Sequence, residues 1–159
     1  MANEIQTLST DINVITAEIN AYQRVAGEAI FEIGKRLKHV KENDLAHGEF
    51  GKWLDSIDMT ARSAQQFMQI AEELGAKAKS VSHLGFAKLL QIAQLPETNR
   101  QQFVEQPHTI PSTGETKTVD EMTVRELREV KAELKIGCQM EYTLGMSNRI
   151  HELYYFLFN

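Results

Sequence analysis

The sequence predicts an all-α protein: a long N-terminal helix, a helix-turn-helix, a helical bundle behind it, and one short β-hairpin near 109–119 as the candidate exception. Three observations carry this. Apolar residues at the start recur at 3,4,3,4,3 spacing: Ile5, Leu8, Ile12, Ile15, Ile19 and Tyr22. Residues suited to capping helices stand at Thr60, Ser82 and Thr123, each ahead of apolar residues at helical spacing. The prolines and glycines Pro107, Pro111 and Gly114 punctuate a single stretch, 106–119, that reads as something other than helix.

The first helix is expected over 1–41. Its apolar stripe continues through Ala26, Ala29 or Ile30, Ile33, Leu37 and Val40. Such a seam suits self-association as a dimerisation arm, and suits packing on the chain's own domain equally well. Gly27 and Gly34 lie inside it, one heptad apart and on one face. Each costs about 1 kcal/mol relative to Ala in a helix interior, so they imply close approach of another helix or a break near 27. Residues 42–48 read as a loop. A short helix follows from about Glu49 to Ile57, with Phe50, Trp53, Leu54 and Ile57 inward. Asp58-Met59 make a turn, and Thr60 caps a helix from about Ala61 to Leu74, with Gly75 at its end.

Residues 76–81 read as a second loop. Ser82 is the expected cap of a helix carrying Leu84, Phe86, Leu89, Leu90 and Ala93. Pro96 opens the next, to about Glu105 with Phe103 inward. Thr109–Val119 is the hairpin candidate, turning at Ser112–Glu115. Thr123-Val124-Arg125-Glu126 is a capping box opening a helix with Val124, Leu127, Val130 and Leu134 toward the core. The expected core domain thus spans 42–135. The tail, 136–159, is rich in Met and aromatics and calls for burial on the domain or a second chain; a helix is expected near 146–157.

The segment around residue 60 carries the functional expectation. A helix-turn-helix needs apolar residues before the turn, in it, and twice on the second helix. Leu54, Ile57, Met59, Ala64 and Phe67 meet this, and Ala64 is small enough for close approach. Asp58 stands where Gly is commonest, but Asp tolerates the left-handed conformation better than most residues. The exposed face then holds Ala61, Arg62, Gln65, Gln66 and Gln69. Gln can bond bidentately to adenine and Arg to guanine from a major-groove helix. Arg62, Gln65, Gln66 and Gln69 are therefore expected to read bases. Thr60 and Ser63 are expected at phosphates, supported by Lys35, Arg36, Lys38 and Lys52. The run Lys35, Arg36, Lys38, His39 and Lys41 is a basic cluster suited to phosphates beside the groove. Cations near a helix C-terminus also have a purely structural reason to be there, the helix dipole.

Charge and composition bound the alternatives. Apolar residues at 42% and charged residues at 25% exclude global disorder. The net charge of −5 argues against nucleic acid, but it is uneven: −4 over 1–34, +2 over 35–88 and −3 over 89–159. The one net-basic third holds the helix-turn-helix. No apolar run is long enough for a membrane span, and the start has no signal-peptide pattern. Cys138 is the only cysteine, so neither a disulfide framework nor a cysteine zinc site is expected. The five histidines are scattered, and no HExxH, P-loop, GxSxG or GxGxxG occurs. No enzyme, cofactor or metal is expected, and the cytoplasm of a bacterial host is the expected compartment.

Two resemblances join this reading. Residues 29–74, with the runs Glu32-Ile33-Gly34-Lys35-Arg36-Leu37 and Gly48-Glu49-Phe50-Gly51-Lys52-Trp53-Leu54, are similar to an uncharacterised family of phages and mobile elements of Gram-positive bacteria (domain of unknown function 3102). The order of pieces in 57–134 resembles the DNA-binding core of ParB/KorB-type partition proteins: a helix-turn-helix, then Val81-Ser82-His83-Leu84-Gly85-Phe86-Ala87-Lys88-Leu89-Leu90, then Met122-Thr123-Val124-Arg125-Glu126-Leu127. That likeness implies a helix-turn-helix held by a following bundle, usually in a dimer. No nucleotide-binding part is recognised, so CTP binding is not carried over, and the tail after Lys135 matches neither family.

The expectation is a homodimeric regulator, or a replication or partition accessory protein, of a phage or mobile element that binds duplex DNA. The alternative is a protein-binding phage factor, an antirepressor or inhibitor, acting on a host or phage regulatory protein. The acidic total, heptad arm and aromatic tail suit that alternative. A basic field over the Gln-rich helix favours DNA; an apolar groove there favours protein.

Overall fold

Asp11 opens the first helix: its carboxylate accepts the backbone N–H of Asn13 at 2.8 Å, satisfying one donor that every helix start leaves unpaired. A computed structural model of the chain describes residues 8–44 and 48–134. Helix α1 runs Ile12–His39, 28 residues, about 42 Å at the usual rise. A π-helical turn, Val40–Asp44, continues it into what the sequence suggested was loop. Gly48 (φ 91°) precedes α2, Glu49–Ser56, and α3 is Ala61–Leu74. A 3₁₀ turn (Gly75–Lys77), the single-turn α4 (Ala78–Val81) and another 3₁₀ turn (Ser82–Leu84) lead to α5, Gly85–Ala93. Then come α6, Glu97–Glu105, and the antiparallel strands β1 (His108–Thr109) and β2 (Thr116–Lys117), with His108 opposite Lys117. A last helix, α7, is described over 124–134. The all-α expectation holds, hairpin included.

The chain divides into two compact units, Met1–Glu97 and Thr98–Asn159. In the first, α1 and α3 meet at a glycine. A methyl group on Gly34 would collide with the Phe67 carbonyl and come within 2.6 Å of the Ala71 Cβ. Seven residues earlier, a methyl on Gly27 would strike the backbone of Ser82. The two glycines therefore mark close approach within the domain, and α1 runs through both unbroken. Their face also carries Phe31 and Leu37, both buried.

That result corrects the stripe drawn along α1. The buried face is Gly27, Phe31, Gly34 and Leu37, whereas Ala26, Ala29 and Ile33 are exposed. The heptad seam and the domain-packing face are different sides of one helix. Leu37, Leu54, Ala64 and Met68 form a cluster where α1, α2 and α3 meet, with Phe50, Trp53, Met59 and Phe67 against it. The rings of Phe67 and Phe86, 4.8 Å apart, join α3 to α5. Ile57, expected inward, is 44% exposed, because α2 ends one residue before it.

Loop 76–81 is largely helical, and Ser82 does not cap α5; it is buried in its own 3₁₀ turn, its backbone against Gly27. The tight passage under α1, rather than capping, places it there.

In the second unit Phe103 is buried, as expected, and its ring stacks on His108 at 4.4 Å. The hairpin turns through Gly114 (φ 72°), whose N–H donates to the Ile110 carbonyl at 2.8 Å. The capping box forms reciprocally: Glu126 N–H donates to Thr123 Oγ1 at 3.2 Å, and Thr123 N–H to Glu126 Oε2 at 2.7 Å. The other Glu126 oxygen accepts from Lys117 Nζ at 2.8 Å, tying β2 to α7. Leu127 and Val130 are buried, but Leu134 is 39% exposed. The tail helix expected near 146–157, like Ile5, lies outside the described residues.

Candidate nucleic-acid interface

The turn between α2 and α3 is a helix ending in which Asp takes the glycine position. The Met59 N–H donates to the Leu54 carbonyl at 3.0 Å and the Asp58 N–H to the Asp55 carbonyl at 3.2 Å. Those are the paired bonds of a Schellman ending. They require a left-handed residue between them, and Asp58 supplies it at φ 54°. Met59 then packs on the cluster containing Leu54, the apolar contact that usually accompanies this ending.

Thr60 starts α3 as expected. Its Oγ1 accepts the Ser63 N–H at 3.1 Å and its hydroxyl donates to Ser63 Oγ at 2.9 Å. Thr60, expected at a phosphate, thus spends its hydroxyl hydrogen on Ser63. From this start, Ala64 and Met68 face the α1–α2 cluster, and Ile70 and Leu74 are also buried. The opposite face carries Ala61, Arg62, Gln65, Glu72 and Glu73, all exposed, with Gln66 and Gln69 half-buried at its borders. The side chains of Arg62 and Gln65 make no hydrogen bond or ion pair among the described residues. These two are the most available of the expected base readers.

The structure splits the expected basic cluster. Lys38 and its neighbour Lys41 share a groove of about 420 Å³ with Gln65, Met68, Gln69, Glu42 and Glu72. Lys38 Nζ lies 3.0 Å from Glu72 Oε1 and 3.8 Å from Glu42 Oε1. The hydrogen bond to Glu72, reinforced by both carboxylates, raises the Lys38 pKa above its usual value. Lys35 borders a different groove, of about 630 Å³, between α1 and residues 75–80. It and Arg36 both bind Glu32, at 3.0 and 2.6 Å, and these bonds, Arg36 first, lower the Glu32 pKa. Lys52 is exposed on α2.

Lys38, Gln65 and Gln69 are therefore brought together, while Lys35 and Arg36 are not with them. Lys41, from the basic run expected near phosphates, completes the groove with Met68 and Glu72, which were missing from the sequence reading of the site. The spacing Lys38–Lys41 was visible, but it places both on one face only if helix continues past 39, which the π turn decides. Among the described residues no His, Cys, Asp and Glu cluster could hold a metal ion, and no helix is long and apolar enough to cross a membrane.

No curated protein and no solved structure matches the chain. One family model does, across residues 5–134, thereby covering both the α1–α3 arrangement and the capping-box helix. The chain belongs to that family, described as a protein of unknown function (DUF3102).

Proposed function

We propose that this chain binds duplex DNA in a sequence-specific manner through the α2–α3 helix-turn-helix. It acts as a homodimeric transcriptional regulator, or as a replication or partition accessory protein, of a phage or mobile element in the bacterial cytoplasm. One observation carries the reading: a Thr60-capped second helix, packed from behind by α1 and α2, offers Arg62 and Gln65 to solvent unengaged. Side chains of this kind near the N-terminal end of such a helix are what a major-groove reader needs. The resemblance of 57–134 to the ParB/KorB-type core supports the same reading, and no catalysis is proposed. Selection of bound sequences from a random duplex library tests it. A recovered motif bound by wild type but not by Arg62→Ala supports it; failure to enrich any sequence at low salt sinks it.

A second reading is favoured by the ion pairs. Lys35, Arg36 and Lys38 are each engaged by a carboxylate, and Met68, Glu42 and Glu72 help line the groove beside Gln65. A protein partner, host or phage regulator, would suit that surface. If the library experiment fails, a pull-down in which Met68 and Gln65 variants lose one specific partner would establish this reading instead.

A further inference from the structure

We infer that α1 forms, along a seam from Ile12 to Ile33, a parallel, in-register two-stranded coiled coil with a second copy of this chain. From Asp11 to Ala26 no residue is buried. Ile12 is 70%, Ile19 51% and Tyr22 71% exposed. These are not scattered apolar residues. Ile12, Ile15, Ile19, Tyr22 and Ala26 occupy successive a and d positions of one heptad register. A row of this kind on a helix fixed at one end is an unpartnered coiled-coil face.

The domain does not obstruct it. In that register the buried residues Gly27, Phe31, Gly34 and Leu37 fall at b, f, b and e, so α1 packs on α3 through a side turned well away from the seam. Ala26, Ala29 and Ile33, at a, d and a, remain exposed alongside the domain. Arg36 at d ends the row. The packed half also supplies the nucleation that a short isolated helix lacks.

Charge selects the orientation. In a parallel pair each g position meets the e position of the next heptad on the second copy. Asp11 then meets Thr16, Glu18 meets Gln23, and Val25 meets Ile30. No like charges face one another, and the last pair extends the apolar surface. An antiparallel pair that keeps the same layers, Ile12 on Tyr22 and Ile15 on Ile19, brings Glu18 against Glu18 of the second copy. Isoleucine at a positions 12 and 19 favours two strands; Ile15, Tyr22 and Ala29 at d depart from the leucine of that pattern. Parallel pairing also puts both helix-turn-helices at the same end of the coiled coil. That consequence alone rests on the DNA-binding reading.

The test needs no DNA, so it fails or succeeds independently of that reading. Light scattering on the full chain should give twice the 18.1 kDa chain mass at tens of micromolar. Ile15→Asn/Ile19→Asn should return it to monomer mass with unchanged far-UV helicity beyond the seam's own contribution. In a Cys138→Ser background, Ile12→Cys should form a disulfide with itself under mild oxidation, and a mixture of Ile12→Cys with Tyr22→Cys should give only like-with-like crosslinks. A wild-type monomer overturns the proposal, whatever covers the seam. So does a dimer that survives the double substitution, or a crosslink found only between positions 12 and 22, which would mean antiparallel pairing.

Discussion

Lys38 Nζ lies 3.0 Å from Glu72 Oε1, so a cation in the groove beside Gln65 and Gln69 is held by the helix that carries them. The pair bridges α1 and α3 at an exposed site, where solvent and salt screen it. Its consequence is for binding more than for folding. Glu72 offsets the charge that Lys38 would present to a phosphate.

Glu72→Gln should therefore strengthen duplex binding on all sequences alike and steepen the salt dependence by up to about one phosphate contact. Arg62→Ala should cost roughly 1–3 kcal/mol on the selected sequence and relax the preference at one base pair. Anisotropy titrations at two salt concentrations, on selected and scrambled duplexes, separate the two effects. Equal loss on both duplexes for Arg62→Ala would reassign it from a base to the backbone.

Gly34→Ala should destabilise the first unit by roughly 1–3 kcal/mol, because the added methyl meets the Phe67 backbone and Ala71. Gly51→Ala provides the contrast. Gly51 lies within α2 with nothing near its would-be Cβ, so the change should stabilise by about 0.5–1 kcal/mol. Urea unfolding followed by the single Trp, Trp53, reports both; a neutral Gly34→Ala would mean the two helices can separate freely there.

Asp58→Gly should raise stability by about 1 kcal/mol, since glycine holds a left-handed turn without the Cβ penalty. Thr60→Ala should lower it by about the same amount through loss of the cap bond to Ser63. Thermal melts of the two single variants and the double variant check both signs. If Asp58→Gly is destabilising, the side chain has a function at the turn that its backbone angle does not reveal.

Acid should loosen the second unit. The Glu126 pKa is lowered from 4.5 to about 2, first by the bond from Lys117 and then by those from Thr123. A depressed carboxylate contributes stability that is full above its unfolded value and is lost as pH falls through the folded one. The loss should fall between about pH 4.5 and 2, and Glu126→Gln should flatten it. Amide exchange at Thr123, whose N–H the carboxylate accepts, is the local probe; an unchanged acid limb in Glu126→Gln would place the sensitivity elsewhere.

Much of this protein was legible before folding because it is local. The caps at Thr60 and Thr123, the extent of α3, the inward Phe103 and the hairpin around Gly114 each depend on residues within a few positions of one another. Propensity, capping chemistry and short-range spacing suffice there. Tertiary structure decided the rest. A heptad row shows that α1 has an apolar side, but not that its second half packs through a different side, because Gly27 and Gly34 become contact surface only when Ser82 and Phe67 arrive from far along the chain. The same holds for the charges. Lys35, Arg36 and Lys38 read as one basic cluster in sequence, yet rotation along α1 sends Lys38 to Glu72 and Gln65 and leaves Lys35 and Arg36 on Glu32. Sequence spacing specifies which residues share a helix face; only packing between helices specifies what that face meets.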